Sequence, residues 1–224
     1  MFDKIIRAKN IQIAVEGERI AALAPEILEP AKQEFDLTEF VALPAVVDAH
    51  VHFNEPGHED WEGVASGSRA LVAGGGAVFA DMPLNSIPVT TTRAALSTKL
   101  EHMRQSVADY ALWGGLTPQS LPYLEELAEG GVIGFKAFMS HSGLPEFERS
   151  DAETLLLGMR CAAKLGLPVA VHAESDGMTK RLAPTATRQD VRAYLESRPI
   201  AAELEAIAEA LALATETGCK LHIV

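Results

Sequence analysis

The chain has 224 residues, of which 48% are hydrophobic, 22% charged and 6% aromatic, a balance that excludes disordered, collagen-like and coiled-coil architectures. Nineteen basic residues against 31 acidic ones leave a formal charge of −12, which repels phosphate backbones and anionic lipid alike, so neither nucleic acid nor a membrane is an expected partner. Apolar runs such as Gly74 to Ala80 are far shorter than the ~20 residues that span a bilayer, and Met1 leads into an alternating pattern without a leader-like core, so a cytoplasmic protein with reduced Cys161 and Cys219 is expected.

Residues 1–43 read as a small β-rich segment. Lys4–Ala8, Ile11–Val15 and Arg19–Leu23 alternate apolar residues between turn signals, and Leu37–Leu43 adds a fourth strand. From residue 44 to 224 the rhythm changes to strand and helix in turn, the pattern of a parallel sheet with crossover helices. Predicted strands are Val46–Phe53, Ala77–Met82, Tyr110–Leu116, Val132–Met139, Pro168–Ala173 and Cys219–Val224. Predicted helices are Trp61–Ala73, Thr92–Val107, Ser120–Ala128, Asp151–Leu165 and Ile200–Thr217, with starts signalled at Thr91, Ser120 and Asp151 and stops at Gly74, Gly130, Gly166 and Gly218. Spacing permits either a doubly wound sheet or a (β/α)8 barrel.

Polar residues at the strand ends decide between them. His50 and His52 lie two apart on the first of these strands, so both imidazoles face one way. Lys136 interrupts an apolar strand, where its ammonium is strongly desolvated unless its stem reaches solvent. A neutralised amine there can take up carbon dioxide as a carbamate whose two oxygens bridge two metal ions. His172 ends the fifth strand, at the carboxyl edge where barrels and open sheets place their chemistry.

His-x-His on strand one, the buried lysine on strand four and the histidine on strand five resemble the cyclic amidohydrolases, which include dihydroorotase, dihydropyrimidinase (hydantoinase) and allantoinase. Asn54-Glu55-Pro56-Gly57, Asp60-Trp61-Glu62-Gly63 and Asp81-Met82-Pro83-Leu84-Asn85-Ser86-Ile87-Pro88 are most similar to the allantoinase branch. The resemblance implies a TIM-type (β/α)8 metal-dependent hydrolase barrel over residues 44–224, cut after its sixth strand, with residues 1–43 as part of a small β-sandwich. It further implies two divalent metal ions, zinc first and cobalt, manganese or iron as alternatives, held by His50, His52, carboxylated Lys136 and His172 around a metal-activated water. The implied reaction is hydrolysis of a ring amide, allantoin to allantoate, in a homotetramer acting on a small ureide.

Dihydroorotase-like sequences carry an arginine two residues after the second histidine to grip a substrate carboxylate; here that position is Asn54, which favours a neutral ureide ring. Asn85 is a second candidate substrate contact, or a residue stabilising its own loop. Dihydroorotase, hydantoinase and a non-catalytic binding module are the alternatives.

The chain departs from the family in three places. Pro44-Ala45 replaces Pro-Gly, straining Ala45 if that position needs a positive φ. His141 stands where hydantoinases have an oxyanion-stabilising tyrosine, leaving it as a loop residue or an alternative donor. Leu221-His222-Ile223-Val224 matches the start of a His-x-x-His pattern whose second histidine, with a catalytic aspartate on a later strand, is expected beyond Val224, so the 224-residue chain alone is expected to be inactive.

Other features have plainer readings. Gly74-Gly75-Gly76 precedes a strand and reads as a tight return, while His58 and His102 read as solvent-facing. Asp81 reads as either a carboxylate orienting a ligand histidine or a loop anchor. Arg188, Arg192 and Arg198 read as a solvated charged face or part of a lid.

Overall fold

The computed structural model describes residues 1–183 and 191–224. The chain divides into two compact units, Met1–Ala45 and Val46–Val224.

The first unit is a four-stranded sheet of β1 (Phe2–Ala8), β2 (Ile11–Glu16), β3 (Arg19–Ala24) and β4 (Ala31–Leu37), in the order β3-β2-β1-β4. Asn10 and Gly17 turn the two hairpins with φ of 63° and 58°, a conformation that these residue types tolerate best. The predicted strand Leu37–Leu43 is corrected: β4 runs over Ala31–Leu37 and pairs in parallel with β1. Its polar Gln33, Glu34 and Asp36 are exposed on the sheet edge and mask the pattern. Thr38 N donates to Asp36 Oδ1 and Phe40 N to Leu37 O, turning the chain just where the apolar run begins. Ala45 does not have a positive φ, so no strain follows from the missing glycine.

The second unit alternates parallel strands and helices. β5 (Val46–Val51), β6 (Gly76–Asp81) and β7 (Asp109–Leu112) form one sheet; β8 (Gly114–Gly115), β9 (Phe135–Phe138), β10 (Pro168–His172) and β11 (Lys220–Ile223) form another. The predicted strand Tyr110–Leu116 is thus split at Trp113, where the backbone changes partner: Trp113 N donates to Asp81 O, and Gly114 N to Gly134 O.

The helices are α1 (Val64–Ala73), α2 (Arg93–Met103), α3 (Leu124–Glu129) after a 3-10 turn over Pro118–Tyr123, α4 (Ala152–Leu165), α5 (Asp176–Leu182), α6 (Val191–Ser197) and α7 (Ile200–Thr217). Their ends follow sequence chemistry. Asp151 accepts from Thr154 N at 2.9 Å to cap α4, and Gly166 closes it with φ of 73°. Helices α5 and α6 were not expected; they occupy the excursion between the fifth and sixth predicted strands, and Ser175 caps α5 through Met178 N. A core of Phe53, Phe79, Leu112, Leu116, Phe135 and Leu155 lies buried among these elements, with α4 packed on α7. No described helix is long and apolar enough to cross a membrane.

Candidate metal centre

Strand pleating sets where the predicted residues point. His50 lies in β5 and His52 just past its end, and their Nε2 atoms are 3.2 Å apart. Across the other sheet, Lys136 is in register with Gly115 on one side and Ala170 on the other, and Ala170 in turn with His222. Phe138 is in register with His172 one layer further on. Residues paired across parallel strands share a face, so Lys136, Phe138, His172 and His222 project to the same side. Phe138 links two of them: its ring stacks on His172 at 4.9 Å and 15°, and Lys136 Nζ lies 4.9 Å from its centroid.

Lys136 is 1% exposed and, among the described residues, its Nζ has no hydrogen-bond partner. Burial pushes the amine down to about 8 from the ordinary 10.5. Burial also carries His50 down to about 4, with smaller contributions from the Lys136 and His52 charges. His52 is lowered mainly by burial, against the pull of Asp81. Burial thus favours the neutral form of both rings at pH 7, the form in which an imidazole can bind a cation.

Neighbouring residues brace this group. Asp81 is the loop anchor of the two readings: Oδ1 accepts from Phe53 N at 3.0 Å, and Oδ2 lies 2.6 Å from Lys99 Nζ. Lys99 went unnoticed in the sequence, although Ala95, Leu96, Lys99 and Met103 share the buried face of α2 at helical spacing. Glu174, also missed, sets Oε2 3.0 Å from His172 Nε2 and pairs with Arg198. Burial opposes its ionisation, but the Arg198 and His172 contacts prevail and hold it below the usual carboxylate range. Arg198 is therefore not part of a solvated face; Arg192 is exposed, and Arg188 lies outside the described residues.

Asn54 and Asn85 take left-handed φ of 58° and 63° in the loops after β5 and β6, so each has a backbone role whatever its amide does. His58 and His102 are corrected. His58 stacks on Trp61 at 4.1 Å with Nδ1 3.0 Å from Asn85 O, and His102 Nδ1 is 2.8 Å from buried Glu55. Glu55, Glu59 and His102 cluster closely enough to hold an ion. Internal contacts account for that cluster: Glu55 also accepts from Val64 N and Gln105, and Glu59 from Gly57 N. His141 is exposed and accepts from Gly143 N at 2.9 Å, the loop role of its two readings. Gly74 closes α1 and Gly75 takes φ of 91° in the tight return before β6.

Residues 41–223 match the Amidohydrolase family. The chain is 58% identical over 219 residues to an allantoinase of Solibacter usitatus, covering 96% of this chain and 48% of that one. It is 50% identical to an allantoinase of Deinococcus radiodurans, covering 96% and 49%. Among solved structures, an L-hydantoinase (dihydropyrimidinase) from Arthrobacter aurescens superposes with a TM-score of 0.89 at 28% identity, covering 100% of this chain and 52% of that one. The chain thus spans about half the length of the curated relatives it matches.

Proposed function

The chain belongs to the amidohydrolase family, with the TIM-barrel fold of the metal-dependent hydrolases, and from that premise we propose that the whole protein hydrolyses a cyclic amide bond, with allantoin as substrate and allantoate as product. The observation that carries the reading is Lys136, an amine 1% exposed, without a hydrogen-bond partner among the described residues and lowered to about 8, on the strand face shared with His172. A buried lysine with no counter-charge is costly unless its chemistry changes. Attack of the neutral amine on carbon dioxide forms an N–C bond and releases a proton. The resulting carbamate is an anion with two oxygens.

The donor set suits metal ions: the two neutral imidazoles bring their Nε2 atoms within 3.2 Å of each other, and a buried amine lowered to about 8 is suited to carbamylation. His50 and His52 would hold one divalent ion, carboxylated Lys136 would bridge to a second, and His172 would bind that second ion; zinc is the first candidate. Bound ions of this kind supply Lewis acidity and a water of lowered pKa. The chain's own residues hold the ligands and shape the mouth. Asn54 and Asn85 would meet the uncharged ring, since an amide both donates to a carbonyl and accepts from a ring N–H. The allantoinase relatives support allantoin, and the hydantoinase neighbour supports hydantoin as the second substrate to test. We carry residues 1–43 as part of a small β-sandwich, a homotetramer and a cytoplasmic location as further expectations.

The test compares whole wild-type protein with Lys136→Ala on allantoin, hydantoin, dihydrouracil and dihydroorotate, alongside metal content. Fastest turnover of allantoin and loss of both activity and metal in the variant are expected. Normal turnover in Lys136→Ala refutes the bridging assignment, and a preference for dihydroorotate refutes the role of Asn54.

A further inference from the structure

Glu174 is buried directly after β10, 9% exposed. Its Oε2 gathers three neighbours: His172 Nε2 at 3.0 Å, Ser140 Oγ at 3.4 Å and the Arg198 guanidinium. An ionised carboxylate only accepts, so the contact with His172 requires the proton to sit on Nε2. In the neutral ring that placement leaves the Nδ1 lone pair free. Phe138, stacked on the same ring at 15°, fixes the plane in which Nδ1 points.

A carboxylate positions a ring only if it is itself held. Arg198 supplies the hold from the turn between α6 and α7, where its N donates to Leu195 O at 3.1 Å and its guanidinium lies 5.4 Å from the Tyr194 ring. The start of α7 is fastened to the chain beside Glu174, because Ser175 N donates to Ala202 O at 2.9 Å and Ser175 Oγ to Glu205 at 2.8 Å.

We propose that Arg198 and Glu174 are positioning residues for His172: Arg198 braces Glu174, which holds the Nε2–H of His172 so that Nδ1 is presented to a divalent metal ion. The metal half of this statement rests on the reading of His172 as a ligand, whereas the tautomer half stands without metal.

The experiment uses the whole protein, stripped of metal and labelled with imidazole 15N, at pH 8.5 where ordinary histidine rings are neutral. Long-range 1H–15N correlation, with His172→Gln for assignment, is expected to show His172 protonated on Nε2. In Arg198→Met the signal is expected to become a tautomer mixture, and zinc affinity of the weaker of two sites to fall about tenfold. Arg198→Lys is expected to restore the signal in part, separating the brace from general loss of fold. A His172 protonated on Nδ1 in the wild type, or an unchanged tautomer in folded Arg198→Met, overturns the brace. A tautomer change in a protein that binds no zinc upholds the brace and refutes the metal reading instead.

Discussion

Lys99 Nζ lies 2.6 Å from Asp81 Oδ2, each side chain 1% exposed, while Lys136, equally buried, has no such partner among the described residues. Two lysines in one unit thus meet the same desolvation in opposite ways. Lys99 also donates to Met82 O at 2.8 Å, and so joins α2 to the end of β6.

Breaking that pair from one side leaves a charge stranded. Lys99→Met is expected to destabilise the whole protein by about 3 to 5 kcal/mol in urea denaturation. Adding Asp81→Asn, which keeps an acceptor for Phe53 N, is expected to recover part of the loss. Two independent, additive effects would show that the residues are not energetically coupled.

For Lys136 the folded pKa of about 8 lies below the ordinary 10.5. Between those values the unfolded chain binds more protons than the folded one, so the stability of the metal-free protein rises with pH across that window. Below pH 8 the penalty is complete, on the order of 3 kcal/mol. Lys136→Met is expected to stabilise the metal-free protein at pH 7, with the gain shrinking towards pH 10.5. Urea midpoints of the two proteins at both pH values check it, and a gain that does not change with pH would contradict the assignment.

Gly134 precedes β9, and a Cβ there would meet Trp113 Cζ3 at 2.5 Å and Pro168 O at 2.7 Å. The second contact is backbone, which cannot turn aside. Gly134→Ala is expected to lose about 1 to 3 kcal/mol by overpacking, and to lower metal content by displacing the strand that carries Lys136. Thermal melts and metal analysis measure the two effects separately.

At the N-terminus of α4, hydrogen bonds from Thr154 hold the Asp151 carboxyl below its usual 3.8. Its capping contribution is therefore present above pH 3.8 and is lost as pH falls through the lowered value. Asp151→Ala is expected to cost about 1 kcal/mol at pH 7. Asp151→Asn is expected to be near neutral there and less sensitive to acid, as read from Tm against pH.

Much of this was legible because local rules and packing agree. The Asp151 start and the Gly166 and Gly218 stops fall where predicted, since caps act within one turn of chain. His50 and His52 share a face because a strand's period is two. The failures share another cause. Lys99 drew no notice and Arg198 read as a solvated face or a lid because their partners lie 18 and 24 residues away in Asp81 and Glu174, a pairing that only the folded backbone defines. Strand β4 was hidden because an exposed edge needs no apolar alternation on its open side.

The loops after β5 and β6 are fastened to one another: Ile87 N donates to Pro56 O at 2.7 Å, His58 Nδ1 lies 3.0 Å from Asn85 O, and a Cβ on Gly57 would strike Ile87 at 2.9 Å. The two asparagines proposed to face substrate therefore ride on one interlocked piece. Grafting either loop alone from a relative with another substrate would import half of a lock, so selectivity at this rim is exchangeable between homologues only as a pair of loops.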